Sequence, residues 1–272
     1  MIPQANITAW RSVAPWADDA QVEQDLVLSR AVVELFSDAA LKSGIALRGG
    51  TALNKFFLRP ACRYSQDVDL VQTKAAAIGP ILESIRGRLD AWLGKPKYSS
   101  AESGVTLTYR FDCEIPPIRA LRLKVEINTR EHFTVLGFRH ETLEIRNPWF
   151  SGAASVTTYA IDELLGTKLR ALFQRKKGRD LFDLWLCLER GIADPDQIVA
   201  CFDRYMRHQK RRITRAEFER NLHAKATDAA FLNDLPPLLA EGVTYDPAAA
   251  FRRVNELLIQ RLPGKPWRGA PA

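Results

Sequence analysis

The sequence predicts an α+β fold, in which an N-terminal half with a mixed sheet and flanking helices precedes an all-helical C-terminal half. Apolar and polar residues alternate with the period of a β-strand over 105–111 and 121–127. From residue 161 onward, the apolar spacing changes to that of helices. We therefore expect two domains, over residues 1–160 and 161–272.

The first half combines helical and strand patterns. Apolar spacing over residues 21–43 predicts an amphipathic helix, which Gly44 is well placed to end. A short apolar strand over 45–47 then leads into Gly49 and Gly50, after which 51–58 is helical. Other elements of this half are a helix over 78–93 and strands over 67–71, 105–111, 121–127, 142–145 and 156–159.

The second half contains only helical patterns. Proline and glycine at 263–266 cannot continue a helix, so we expect the end of the chain to fray. The expected helices cover residues 161–176, 179–190, 196–207, 215–223 and 248–262.

Composition and charge narrow the class of protein. Apolar residues are 46% and charged residues 26% of 272, which is ordinary for a globular chain. No apolar run approaches the roughly 18 residues of a membrane span, and no signal-peptide pattern of a basic segment followed by an apolar run is visible, so we expect a soluble, cytoplasmic protein without membrane association. The net charge of +7 favours polyanions such as nucleic acid or nucleotides; the alternative is a merely basic protein.

The cysteines and histidines argue against structural zinc. Four cysteines are scattered without C-x-x-C spacing, and the four histidines form no H-x₃₋₅-H pair. We expect the cysteines to be reduced thiols.

Two aspartates in one strand form the most informative pattern. Asp67 and Asp69 point to the same face because side chains alternate along a strand. Their mutual repulsion would raise one pKa and reduce stability unless a cation neutralises them. Mg²⁺ is an oxygen-seeking ion that also bridges phosphates. The alternative is a solvated strand end or turn.

The glycine pair stands between a strand and a helix. Gly49 and Gly50 let the backbone approach a ligand, and N–H groups at a helix start attract anions. Thr51 either caps this helix or offers its hydroxyl to a phosphate. The alternative is a tight turn without a ligand; the P-loop pattern is absent.

A third acid lies on a later strand. Glu126 faces opposite to Val125 and Ile127, and it would stand beside Asp67 and Asp69 if the two strands were neighbours. The alternative is an exposed strand acid.

Together these segments resemble the DNA polymerase β-like nucleotidyltransferase superfamily, with its glycine loop, paired acids on the next strand and later third acid. Within it, the sequence is similar to the AbiEii/AbiGii nucleotidyltransferase toxins of bacterial toxin–antitoxin and phage-abortive systems. The resemblance covers roughly residues 25–190 and rests on Gly49-Gly50-Thr51-Ala52-Leu53 and Arg63-x-Ser65-x-Asp67-x-Asp69. The stretch between Gly50 and Asp67 is longer than in minimal nucleotidyltransferases, which leaves the path of residues 59–63 undefined.

The family also has a later lysine followed by an R-D-x-x-D segment, which corresponds here to Lys168 and to Arg179-Asp180 with Asp183. Twelve residues on one straight helix would separate Lys168 and Asp180 by about 120°. Gly178 is a good helix stop, so we expect Asp180 in the first turn of a following helix, close to Lys168. Asp183 is expected to be a structural partner of Arg179 or Arg175.

The resemblance implies a nucleotidyltransferase-like domain over 1–160 and a helical domain over 161–272 that completes the active site. Two Mg²⁺ ions would be held by Asp67, Asp69 and Glu126, with Lys168 and Asp180 also catalytic. An NTP would donate its nucleotidyl group to RNA, in the tRNA class, and a cognate antitoxin would be encoded nearby. The residues assigned to nucleotide binding are Gly49, Gly50, Thr51, Arg63, Ser65 and Arg179.

Two alternatives share this scaffold: a non-catalytic nucleotide- or RNA-binding protein, and a transferase acting on a protein or small-molecule hydroxyl. A basic cluster in the second half favours an RNA partner, although charge runs are usually solvated faces. The cluster contains Arg204, Arg207, Lys210, Arg211, Arg212 and Arg215, with Phe202 and Tyr205 nearby.

Overall fold

A seven-stranded sheet forms the centre of the first half of the chain in the computed structural model, which describes residues 2–269. The spatial order is β3-β4-β5-β2-β1-β7-β6; β2 with β5 and β1 with β7 are parallel, and the other pairs are antiparallel. The predicted mixed sheet is confirmed. Its strands are β1 (Ile45–Arg48), β2 (Asp67–Gln72), β3 (Lys97–Ala101), β4 (Gly104–Asp112), β5 (Ala120–Asn128), β6 (Phe138–Asn147) and β7 (Phe150–Tyr159).

Helices flank this sheet. The single helix expected over 21–43 is two helices, because Asp38 is extended and its carboxylate accepts hydrogen bonds from the backbone N–H groups of Ala40 and Leu41. That carboxylate caps the second helix, which then leads directly into β1. The helices are α1 (Gln4–Trp10), α2 (Asp19–Ser37), α3 (Ala39–Gly44), α4 (Gly49–Ala52), continued by one π-helical turn (Leu53–Phe57), and α5 (Gly79–Leu93).

The rest of the chain is helical, as predicted. The last expected helix, over 248–262, ends earlier, at Leu257, and one 3₁₀ turn (Ile259–Arg261) follows. A second 3₁₀ turn is Pro236–Leu238. The helices are α6 (Ile161–Gln174), α7 (Gly178–Glu189), α8 (Pro195–His208), α9 (Arg215–Ala226), α10 (Ala229–Leu232) and α11 (Pro247–Leu257).

The contacts divide the chain into two units between Tyr159 and Ala160. In the first unit, Val68 and Val125 from adjacent strands are fully buried in the core. In the second unit, Leu169 and Phe182 are fully buried. The different roles expected for domains 1–160 and 161–272 stay predictions. No helix within residues 2–269 combines the length and apolar character needed to cross a membrane.

Several elements were not predicted. Every residue of β3 is exposed, so this edge strand has no apolar alternation to reveal it. The helices α1 and α10 are only seven and four residues long. The strands β6 and β7 are ten residues each, longer than expected, because their backbone pairing continues from Phe138 with Tyr159 to Asn147 with Phe150, beyond the short segments with strand-like alternation.

Candidate functional site

The two aspartates lie at the start of β2. Val68 and Leu70 are buried in the core, whereas Asp67 and Asp69 are half-buried and alternate with them. The aspartates therefore share the opposite face of the strand. This is the placement expected from the sequence; their role as metal ligands stays a prediction.

The third acid stands directly beside them. In the parallel pairing of β2 with β5, Asp69 is opposite Glu126 and Asp67 is opposite Lys124. The Lys124 ammonium lies 3.8 Å from a Glu126 oxygen, and the Glu126 side chain remains 44% exposed. Asp69 and Glu126 line a cleft of about 120 Å³ together with Arg48 and Asn128. The register thus brings the three predicted ligands to neighbouring positions.

The chemistry of these side chains fits a hard divalent cation, since carboxylate oxygens are the ligands that Mg²⁺ prefers. Within residues 2–269, no group of three or more His, Cys, Asp or Glu side chains is gathered closely enough to hold a metal ion. The donors are therefore present on adjacent strands, without a closed ligand cluster in the part of the chain described.

Arg48 is a cation in this cleft that the sequence analysis missed. It is opposite Asp69 in the pairing of β1 with β2 and donates to Glu131 at 2.6 Å. Burial would lower the pKa of Arg48, but Glu131 and, more weakly, Asp69 raise it above its ordinary value. Its position, directly before the glycine pair, was the signal that could have found it.

Gly49 packs against one of the acids. A Cβ atom at this position would lie 2.2 Å from an Asp69 carboxylate oxygen, and the backbone has φ +76°. Only glycine combines that conformation with that approach. At Gly50, a Cβ atom would lie 2.5 Å from the Arg63 guanidinium and 3.1 Å from the Ser65 hydroxyl. The glycine pair therefore leaves room for Asp69 and for Arg63.

The hydroxyl of Thr51 joins the loop to the acid strand. It donates to the Asp67 carbonyl at 2.6 Å and lies 2.9 Å from the Ser65 hydroxyl. The interpretation of Thr51 as a helix cap is wrong, because α4 begins two residues earlier and Arg48 occupies the N-cap position. Arg63 is buried and donates to the Tyr64 carbonyl. These hydrogen bonds stabilise the turn beside Asp67.

The second block of predicted residues lies in the other unit. Lys168 on α6 is 2.9 Å from Asp180 and 3.0 Å from Asp183, both in the first two turns of α7. The turn between the helices thus brings Lys168 and Asp180 together, as expected. Arg175 contacts Asp180 at 2.7 Å. Both aspartates are fully buried.

Opposing effects act on the Asp180 carboxyl. Burial would raise its pKa, but Lys168 and Arg175 outweigh burial and hold the pKa well below its usual range. Asp183, expected to pair with Arg179 or Arg175, forms an ion pair with Lys168. The Arg179 guanidinium lies 3.6 Å from Asp234.

The basic cluster is on the surface, but its aromatic neighbours are not. Phe202 and Tyr205 are buried, so neither ring is available to stack on a nucleic-acid base. Arg207 forms an ion pair with Asp203, and Arg215 forms one with Glu219. The exposed members are Arg204, Arg207, Lys210, Arg211 and Arg212.

A likeness to solved structures supports the fold class. MenT4, a nucleotidyltransferase toxin from Mycobacterium tuberculosis H37Rv, aligns over 97% of this chain and 91% of its own, with a TM-score of 0.68 and 18% identity. A nucleotidyltransferase-like protein from Paracoccidioides brasiliensis aligns over 68% of this chain and 88% of its own, with a TM-score of 0.41 and 17% identity. No curated protein matches the sequence directly.

The fold is that of nucleotidyltransferase-like proteins. The model of the AbiEii nucleotidyl transferase toxins of type IV toxin–antitoxin systems matches residues 30–254, so the chain belongs to that family. Membership implies a nucleoside triphosphate substrate and an antitoxin. Nucleotidyltransferases generally use divalent metal ions.

Proposed function

We propose that this toxin transfers a nucleoside monophosphate from an NTP to an RNA acceptor of the tRNA class, releases pyrophosphate, and requires Mg²⁺. The observation that carries the proposal is the alignment of Asp69 with Glu126 on parallel strands, beside a glycine whose missing side chain makes room for Asp69. An antitoxin encoded nearby would restrain the activity, and the reaction would take place in the cytoplasm.

Asp67, Asp69 and Glu126 would hold the metal ions. When bound, two Mg²⁺ ions supply activation of the attacking oxygen and stabilisation of the leaving oxygen. The half-buried position of both aspartates supports this assignment, because the low exposure strengthens their electrostatic effect while solvent access remains.

The remaining predicted residues would bind and orient the substrate. The backbone at Gly49 and Gly50 approaches the triphosphate, and Thr51 and Ser65 keep this turn fixed against the acid strand. Lys168 would neutralise charge on the departing pyrophosphate.

Asp180 and Arg179, the other residues predicted in the second unit, would position Lys168 and contribute positive charge, respectively. Asp180, which bonds the Lys168 ammonium, would hold that lysine in place. Arg179 would bind a phosphate group of the NTP.

The test is incubation of the purified protein with total tRNA, MgCl₂ and each α-labelled NTP in turn. We expect label in RNA, released pyrophosphate, and loss of both with EDTA. Asp67→Asn should abolish transfer without lowering the melting temperature, because it removes charge but not volume, whereas Asp112→Asn, at an exposed end of β4, should keep full activity. Label in protein or a small molecule, or full activity in Asp67→Asn, would contradict the proposal.

A further inference from the structure

A cavity of about 270 Å³ lies in the first unit beside the glycine turn. Its walls come from several residues between Trp10 and Trp16, from the α2 residues Asp25 and Ser29, from the segment between Thr51 and Ser65, and from Leu143 and Glu144 on β6. This segment contains residues 59–63, whose path the sequence left undefined. Arg59, Pro60, Ala61 and Arg63 all line the cavity.

The cavity is joined to the acid strand by hydrogen bonds. Thr51 and Ser65 line it, and their hydroxyls lie 2.9 Å apart. The Thr51 hydroxyl also donates to the carbonyl of Asp67, the first residue of β2. A molecule in this space would therefore lie one side chain away from the predicted catalytic strand.

The walls are aromatic and contain unsatisfied polar atoms. Trp10 and Trp16 both line the space. The Trp16 indole N–H and the Asn54 amide oxygen are buried and have no hydrogen-bond partner within residues 2–269. The Asn54 amide is oriented by the bond from its nitrogen to the Gly50 carbonyl. A nucleobase carries a donor and an acceptor on one edge and two stacking faces, so its chemistry matches this lining.

The cations of the cavity are already engaged. The Lys55 ammonium contacts both carboxylate oxygens of Asp25, at 2.8 and 2.7 Å. The Arg59 guanidinium donates to the Lys55 carbonyl, and Arg63 donates to the Tyr64 carbonyl. The Asp25 carboxylate offsets the Lys55 charge, and Glu144 adds a second carboxylate to the lining, so the cavity suits an uncharged nucleoside better than a triphosphate.

We infer that this cavity binds the nucleoside part of the incoming NTP, with Trp16 and Asn54 contacting the base, while the triphosphate extends toward Asp67 and Asp69. The inference rests on the proposed nucleotidyl transfer and adds the residues that bind the base. The volume suits a nucleoside, and the contacting side chains lie outside the glycine and acid motifs.

The test replaces a small loop residue that lines the cavity with a large one, so that the new side chain occupies the space. Ala61→Phe introduces a ring at a half-buried loop position that lines the cavity. Ala75→Phe, on an exposed loop, is the matched control. Binding of each NTP and of inorganic tripolyphosphate is measured by calorimetry, with melting curves for each variant. We expect Ala61→Phe to weaken NTP binding by about tenfold or more, the equivalent of one lost base stack, without changing tripolyphosphate binding.

A second variant controls for a folding defect in Ala61→Phe. Ser12→Trp blocks the same cavity from an exposed position and should reproduce the result if Ala61→Phe melts early. Unchanged NTP binding in both variants, equal loss of NTP and tripolyphosphate binding, or a defect confined to the KM for RNA would overturn the inference while leaving nucleotidyl transfer intact. A wild-type protein that binds no NTP would overturn both proposals.

Discussion

At the scale of single residues, Gly49 is the position where any side chain would overlap the Asp69 carboxylate. Gly49→Ala should reduce transfer by about 100-fold or more, because the new methyl group displaces the Asp69 carboxylate from its position. It should also destabilise the fold by about 1–2 kcal/mol, the cost of a left-handed alanine. Activity and urea unfolding are the measurements.

Gly94 supplies the matched control. Its φ of +74° is close to that of Gly49, but a Cβ atom there meets nothing within 4 Å. Gly94→Ala should therefore also lose stability but keep transfer activity. Equal activity in the two variants would show that Asp69 tolerates the displacement.

A second residue-scale prediction concerns Glu23, which is fully buried on α2. Burial raises its pKa to about 7, and one carboxyl oxygen lacks a partner among the residues described. Because the folded pKa exceeds the ordinary value, the stabilising effect is complete below about pH 4.5 and is lost as pH rises to 7. The wild-type free energy of unfolding should fall by up to about 1.4 kcal/mol per pH unit in this window.

Glu23→Gln should remove this component and gain stability relative to wild type between pH 5 and pH 7. Glu102→Gln, at an exposed position, should follow the wild-type curve. The measurement is urea unfolding at several pH values. Parallel curves for wild type and Glu23→Gln would show that Glu23 titrates normally.

At the scale of helices and strands, local patterns were enough to predict β2 and β5 but not their pairing. Alternation places Asp67 and Asp69 on one face, yet their alignment with Glu126 depends on a parallel register set by non-local contacts. Asp38 shows the opposite case, since one capping carboxylate interrupts a helix whose apolar spacing continues. The fold class could therefore be predicted from the sequence. The break between α2 and α3 and the partners of the buried acids could not.

The Lys168 pairing on α6 and α7 gives the element-scale prediction. Asp180→Asn and Asp183→Asn should each destabilise the protein by about 3 kcal/mol, because a buried lysine loses one of its two carboxylate partners. Asp180→Asn should also lower kcat, because Asp180 is proposed to orient the lysine. Activity and urea unfolding at pH 7 are measured for both variants.

The pH dependence separates this pairing from a packing defect. The folded pKa of Asp180 lies below its usual range, so its contribution is present above about pH 4 and is lost as pH falls further. The stability gap between wild type and Asp180→Asn should narrow only in that acidic range. Asp196→Asn, which removes a largely exposed carboxylate paired with Arg261 on the surface, should leave only a small gap, below about 1 kcal/mol.

At the scale of the whole molecule, the excess of seven positive charges is unevenly distributed. Five basic residues around the end of α8 are exposed, and Lys210 among them has a left-handed backbone with φ +57°. With Phe202 and Tyr205 buried, any RNA contact here would be electrostatic rather than stacking. Such binding weakens steeply with salt, because each neutralised phosphate releases counterions.

The double variant Arg204→Glu with Arg212→Glu should therefore weaken tRNA binding by about tenfold or more at 100 mM salt and flatten the slope of log K against log salt. Lys74→Glu with Lys95→Glu changes the net charge equally at exposed positions of the first unit. If the cluster is the RNA contact, only the first pair alters the slope, and the KM for NTP is unchanged in both. If both pairs weaken binding alike, net charge alone attracts the RNA and the cluster is a solvated face.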